Sequence, residues 1–101
     1  MSKQLTLIAK LTAKPEYADE IGKGLTDLLA QTRAEEGSID YHFHQDNSDP
    51  TVWVIYENWR SQADLDAHFR QPYTKAFMDR FPEILDKEME LNYLTMVSPR
   101  P

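Results

Sequence analysis

Residues 51–59 read TVWVIYENW, a β-rich run that is apolar on both faces. Trp53, Ile55 and Trp59 fall on one side of an alternating strand, and Val52, Val54 and Tyr56 fall on the other. One layer of helices covers one face of a sheet and leaves the other bare. A chain of 101 residues builds one domain, so no second domain is at hand to cover that face. The run therefore predicts a single domain over residues 1–101 whose second sheet face is buried by another copy of the chain, a homodimer through the sheet face.

The flanking segments supply the rest of the plan. Residues 4–13 alternate, with Leu5, Leu7, Ala9 and Leu11 opposite Thr6, Ile8, Lys10 and Thr12, which predicts a first strand and not a signal peptide. Pro15 suits the first position of a helix, and Tyr17, Ile21, Leu25, Leu28, Leu29 and Thr32 then recur at spacings of three and four, one apolar stripe running to about residue 36. Gly37 is expected to supply the stop. Residues 38–46 alternate again, and Asp46-Asn47-Ser48-Asp49-Pro50 is turn chemistry, so the second and third strands form a hairpin. Ser61-Gln62-Ala63-Asp64 resembles a capping box at the head of a helix that Pro72 and Pro82 break into pieces, and residues 88–97 alternate as a last strand. The order β-α-β-β-α-β predicts an α+β, ferredoxin-like split βαβ fold: a four-stranded antiparallel sheet with helices on one face.

Charge and composition then exclude several function classes. Eleven basic against seventeen acidic residues give a net charge of -6, which lacks the positive field that attracts phosphate backbones, so no nucleic acid partner is expected. No stretch approaches the ~20 apolar residues of a membrane span. The absence of cysteine removes thiolate chemistry and cysteine-held metals and suits a reducing, cytoplasmic setting. Gly22-Lys23-Gly24 lies inside the first helix and is no phosphate loop.

Nine of the eleven aromatic residues lie between Tyr41 and Phe81, and some of them surround titratable groups. Glu57 shares a strand face with Trp53, Ile55 and Trp59. There it is either a desolvated functional carboxyl or the structural partner of Arg60, Arg70 or Lys75. His68 falls on the helix face bounded by Leu65 and Phe69, with Tyr73 and Phe77 just past the proline break. That arrangement is either an aromatic pocket with one base or a core histidine. His42-x-His44 has the spacing of a metal pair on a strand but lacks a third ligand nearby, so the expectation is a solvated polar face and no metal.

The string Glu36-Gly37, Tyr41, Asp46, Tyr56-Glu57-x-Trp59, Ser61, Leu65, His68, Pro72-Tyr73 resembles the antibiotic biosynthesis monooxygenase (ABM) family of dimeric α+β-barrel proteins. The resemblance implies a cofactor-independent monooxygenase that converts a phenolic, hydroquinone or anthrone-like aromatic to a quinone with O2. His68 would accept a proton or orient the substrate, Trp59 and Phe77 would stack on the ring, and Phe69 would line the site. Glu57, Asn58 and Tyr73 would hydrogen-bond to substrate oxygens, although strand alternation points Asn58 away from Trp59. Many relatives carry a second histidine after the proline, where this chain has Tyr73, a poor base at neutral pH. The same resemblance extends to isomerases and haem-degrading enzymes, and a protein that binds small aromatics without turnover is a third possibility.

Overall fold

A computed structural model of the protein describes residues 4–100. Its elements are β1 (Leu5–Thr12), a 3-10 turn (Pro15–Tyr17), α1 (Ala18–Arg33), β2 (Ser38–Gln45), β3 (Val52–Trp59), α2 (Gln62–Phe69), α3 (Pro72–Met78), α4 (Phe81–Ile84) and β4 (Glu90–Leu94). The sheet has the order β2-β3-β1-β4, and each neighbouring pair is antiparallel. This is the four-stranded ferredoxin-like plan with its helices on one face.

Register divides the sheet into two unlike faces. Leu7 pairs with Glu57, Ala9 with Ile55 and Leu11 with Trp53. With Tyr41 opposite Glu57 from β2, these side chains make the floor on which the helices pack. Ile21, Leu25 and Leu28 of α1, Leu65 of α2 and Ile84 of α4 complete that core. The open face carries Thr6, Ile8 and Lys10 of β1 and Val54, Tyr56 and Asn58 of β3, and no helix among the described residues covers it. This face is more polar than the two-sided reading of β3 implied. Asn58 is buried within it and uses all four of its amide's hydrogen-bonding positions. It accepts from Thr6 Oγ1 and Gln4 Nε2, and it donates to Asp40 Oδ2 and the Tyr56 hydroxyl. Arg100, near the end of the chain, pairs with the same Asp40.

Two boundaries differ from expectation. The helix α1 ends at Arg33, short of the predicted end at about residue 36, and Gly37 does not serve as a left-handed cap, because no glycine among the described residues has a positive φ. Gly37 is needed for space: a Cβ there would lie 2.3 Å from Asp64 Cβ, where the head of α2 crosses the β2 entry. The last strand is shorter than predicted, covering Glu90–Leu94 within residues 88–97. The capping prediction holds, since Ser61 Oγ accepts from the Asp64 backbone N–H at 3.2 Å. The glycines inside α1 also have a packing reason. A Cβ at Gly22 would strike the Trp53 indole at 2.5 Å, and one at Gly24 would strike the Phe77 ring at 2.3 Å.

Candidate active site

Breaking the second helical segment at Pro72 leaves a space between α2, α3 and the sheet floor. The space there amounts to about 390 Å³ once the open solvent at its mouth is counted, and little of it is enclosed. Ala9, Leu11, Leu28 and Ile55 form much of its apolar floor, and Phe69, Phe77 and Phe81 form its aromatic wall. Four polar side chains open on it: Glu57, His68, Tyr41 and Thr74. A small set of polar groups in an apolar enclosure is the usual make-up of a small-molecule site.

His68, near the C-terminal end of α2, is 3% exposed and tilted against the Trp59 indole with ring centroids 4.8 Å apart. Its Nδ1 lies 2.8 Å from Oε2 of Glu35, in the turn that follows α1. A carboxylate only accepts, so the hydrogen-bond network assigns the proton to Nδ1, and the neutral ring keeps a lone pair on Nε2. The Tyr73 hydroxyl donates to the same Glu35 oxygen and approaches the Gln31 carbonyl at 3.3 Å. Burial, that hydrogen bond and the Glu35 charge all raise the Tyr73 pKa, so the phenol stays protonated. Glu35 is the member of this group that the sequence reading missed. It lies 33 positions from His68, outside any helical or strand period that would pair them. A single acidic residue in the turn after a helix end carries no local mark of a role.

Glu57 is the second unusual group. It is 3% exposed, and Arg60, one of its expected partners, instead pairs with Asp64 and Glu36. Its Oε1 accepts one hydrogen bond, from Trp59 Nε1 at 2.8 Å. Burial pushes its pKa up to about 7; the Trp59 bond works against that shift and the Glu35 charge adds to it. The carboxyl therefore exchanges its proton near neutral pH, the range useful to an acid–base group. Burial and the charges of Glu57 and Glu35 likewise hold Tyr41 in its phenol form.

The other sequence-predicted residues divide between the cavity and its surroundings. Phe69 and Phe77 line the cavity, whereas Trp59 is fully buried behind it, joined to Glu57 through its indole N–H and to His68 by ring contact. Tyr73 turns its hydroxyl to Glu35 and not into the cavity. Asn58 lies on the opposite sheet face. The irregularity in this region belongs to β2, between Ser38 and Asp40, and does not re-aim Asn58. His42 receives a hydrogen bond from Arg33 Nη2 at 3.1 Å, and His44 lies 3.2 Å from the Val54 carbonyl, both at exposed positions of β2.

Residues 4–80 match the family model described as antibiotic biosynthesis monooxygenase. The chain belongs to that family. The matched span contains Glu35, Glu57, Trp59, His68, Tyr73 and Phe77, and ends before Phe81 and the β4 residue Leu91 that complete the cavity. Among solved structures, PA3566 from Pseudomonas aeruginosa is 33% identical and superposes with a TM-score of 0.89 over 97% of this chain and 98% of that one. YcnE of Bacillus subtilis, provisionally named a monooxygenase, is 24% identical over 87 residues, 86% of this chain and 92% of that protein. The uncharacterized protein sll1783 of Synechocystis is 29% identical over 87 residues, and the match spans 86% of this chain but 59% of that longer protein. No helix among the described residues is long and apolar enough to cross a membrane.

Proposed function

We propose that the protein is a cofactor-independent monooxygenase that oxidises a phenolic, hydroquinone or anthrone-like aromatic with O2 in the cavity beneath α2 and α3. The reading rests on one observation: a buried histidine oriented by a carboxylate and a second carboxyl that titrates near neutrality open on the same apolar, phenyl-walled space. Phe69 and Phe77 would hold a flat ring. Nε2 of His68 would take the proton from its hydroxyl or acidic C–H, and Glu35 would stabilise the imidazolium that forms. The resulting phenolate or carbanion is electron-rich enough to reduce O2 by one electron. The apolar cage keeps the radical pair together until the C–O bond forms. One oxygen atom enters the product carbonyl and the other leaves as water, carrying the two hydrogens lost by the substrate. Trp59 and Tyr73 act as positioning residues, holding Glu57 and Glu35 respectively.

The same reading includes a homodimer through the open sheet face. Ile8, Val54 and Tyr56 are half-buried there in one chain, and Leu94 is 47% exposed. A second copy would cover them and keep the cavities on the outer, helical sides.

Oxygen uptake with a panel of phenols, hydroquinones and anthrones tests the activity. Wild type should consume O2 with at least one of these. His68→Ala should lose about 10²–10⁴-fold in rate, the usual contribution of a positioned base. Trp59→Phe should lose less, since it removes the donor to Glu57 and part of the ring contact with His68 but leaves the base in place. Binding of the aromatics without oxygen uptake would assign the protein to ligand capture and end the oxygenase reading.

A further inference from the structure

Two buried hydroxyls among the described residues, those of Thr32 and Thr74, have no hydrogen-bond partner in the protein. They differ in position. Thr32 is 0% exposed on the core face of α1 and does not line the cavity, whereas Thr74 is 5% exposed, the third residue of α3, and lines it. A helical threonine commonly spends its hydroxyl on a carbonyl one turn back, and Thr74 does not. An unsatisfied buried hydroxyl lowers stability, so a persistent one beside a cavity calls for an explanation outside the folded chain itself.

We infer that Thr74 is the residue that selects hydroxylated over unsubstituted aromatic ligands, its Oγ1 forming a hydrogen bond with the ligand's hydroxyl oxygen while Phe69 and Phe77 hold the ring. This rests on the reading of the cavity as an aromatic-substrate site and adds the contact that sets its preference. The physical basis is preorganisation. Folding has already stripped water from the Thr74 hydroxyl, so the bond to a ligand oxygen forms without a second desolvation of the protein group and counts more fully than one made at a wet surface. Aromatic walls alone would bind any flat hydrocarbon of the right size with little regard for its substituents. Thr74 lines the space from α3, and Glu57 and Tyr41 line it from the sheet; its Oγ1 has almost no accessible surface in the unliganded protein, so the bond forms as the side chain turns about χ1, and a hydroxyl presented to α3 then fixes which edge of the ring reaches the carboxyl.

The test is equilibrium dialysis under nitrogen with 1-naphthol and naphthalene, on wild type, Thr74→Val and Thr32→Val, with a melting curve for each. Wild type should bind 1-naphthol about tenfold more tightly than naphthalene, and Thr74→Val should shrink that preference to about twofold or less, the larger loss falling on 1-naphthol. Thr74→Val should also melt a few degrees higher, because valine fills the same space without an orphaned hydroxyl. Thr32→Val should melt higher too and keep the naphthol preference. A naphthol preference that survives Thr74→Val, or a lowered melting temperature in that variant, would overturn the inference. Failure of wild type to bind either arene would overturn it together with the aromatic-site reading. Selective binding with no oxygen uptake from any of the phenols, hydroquinones and anthrones once air is admitted would end the oxygenase reading alone and leave the role of Thr74 standing.

Discussion

Replacing Glu57 with Gln removes a carboxyl whose proton affinity folding has changed, and the effect on stability can be worked out in sign and size. In the folded protein its pKa is pushed up to about 7, against an ordinary value of 4.5. The folded state therefore keeps a proton that the unfolded chain has already released between those values, and stability falls as pH rises through that window. Below pH 4.5 both states hold the proton and burial of a neutral acid costs little. Above pH 7 both are ionised, and the folded state carries a buried carboxylate with one hydrogen bond. At about 1.4 kcal/mol per pH unit, the gap corresponds to about 3 kcal/mol of stability present at low pH and absent at high pH. The side chain is 3% exposed, so solvent screening removes little of it. A chain with a pI near 4.9 is poorly soluble at the low end, which leaves pH 5.5 to 8.5 as the working range and about 2 kcal/mol of the change within it. The Gln amide oxygen still accepts from Trp59 Nε1 and carries no titration. Urea unfolding of both proteins across that range should therefore show Glu57→Gln gaining on wild type as pH rises, by roughly 1 M in midpoint at pH 8.5 relative to pH 5.5. A difference between the two proteins that stays flat over this range, or that changes in the opposite direction, would refute the claim that Glu57 is buried without a cation.

The positioning role of Tyr73 predicts that Tyr73→Phe lowers kcat for oxygen uptake about three- to tenfold with little change in KM, as expected when a donor to Glu35 is lost and no substrate contact is removed. An unchanged kcat would place Glu35 under other control. Gly37→Ala should cost about 1–3 kcal/mol by urea denaturation, because the clash falls on Asp64 Cβ next to the α2 backbone and not on a movable side-chain end. A neutral result would show that the head of α2 is free to shift. Analytical ultracentrifugation at micromolar concentration should give a mass of two chains, and Tyr56→Glu on the open face should shift it toward one. A wild-type mass of one chain would contradict the dimer.

Much of this molecule could be read along the chain. The element order followed from periodicity, because Leu7, Ala9 and Leu11 alternate as a strand must and Ile21, Leu25 and Leu28 recur as a helix must. The helix breaks at Pro72 and Pro82 and the cap at Ser61 followed from backbone chemistry confined to a few neighbouring residues. Gly37 was misread because its usual meaning at a helix end is conformational, while its reason here is the approach of Asp64 from 27 residues further on. Asn58 shows the partial case. Alternation correctly turned it from the cavity, but nothing local announces that Thr6, Gln4, Asp40 and Tyr56 together satisfy its amide.

The site divides along the same line. That Glu57, His68, Phe69 and Phe77 face the helix–sheet space is a matter of period and chain order, which are properties of the sequence alone. Tertiary structure alone decided that Glu35 holds His68, that Tyr73 serves Glu35 and not the cavity, that Glu57 finds no cation among the described residues, and that Thr74 keeps an unspent hydroxyl. Periodicity assigns a side chain to a face. Which atoms then come within 3 Å of one another depends on how separate elements dock, and it is that docking, through desolvation and hydrogen bonding, that sets the proton affinities on which the chemistry depends.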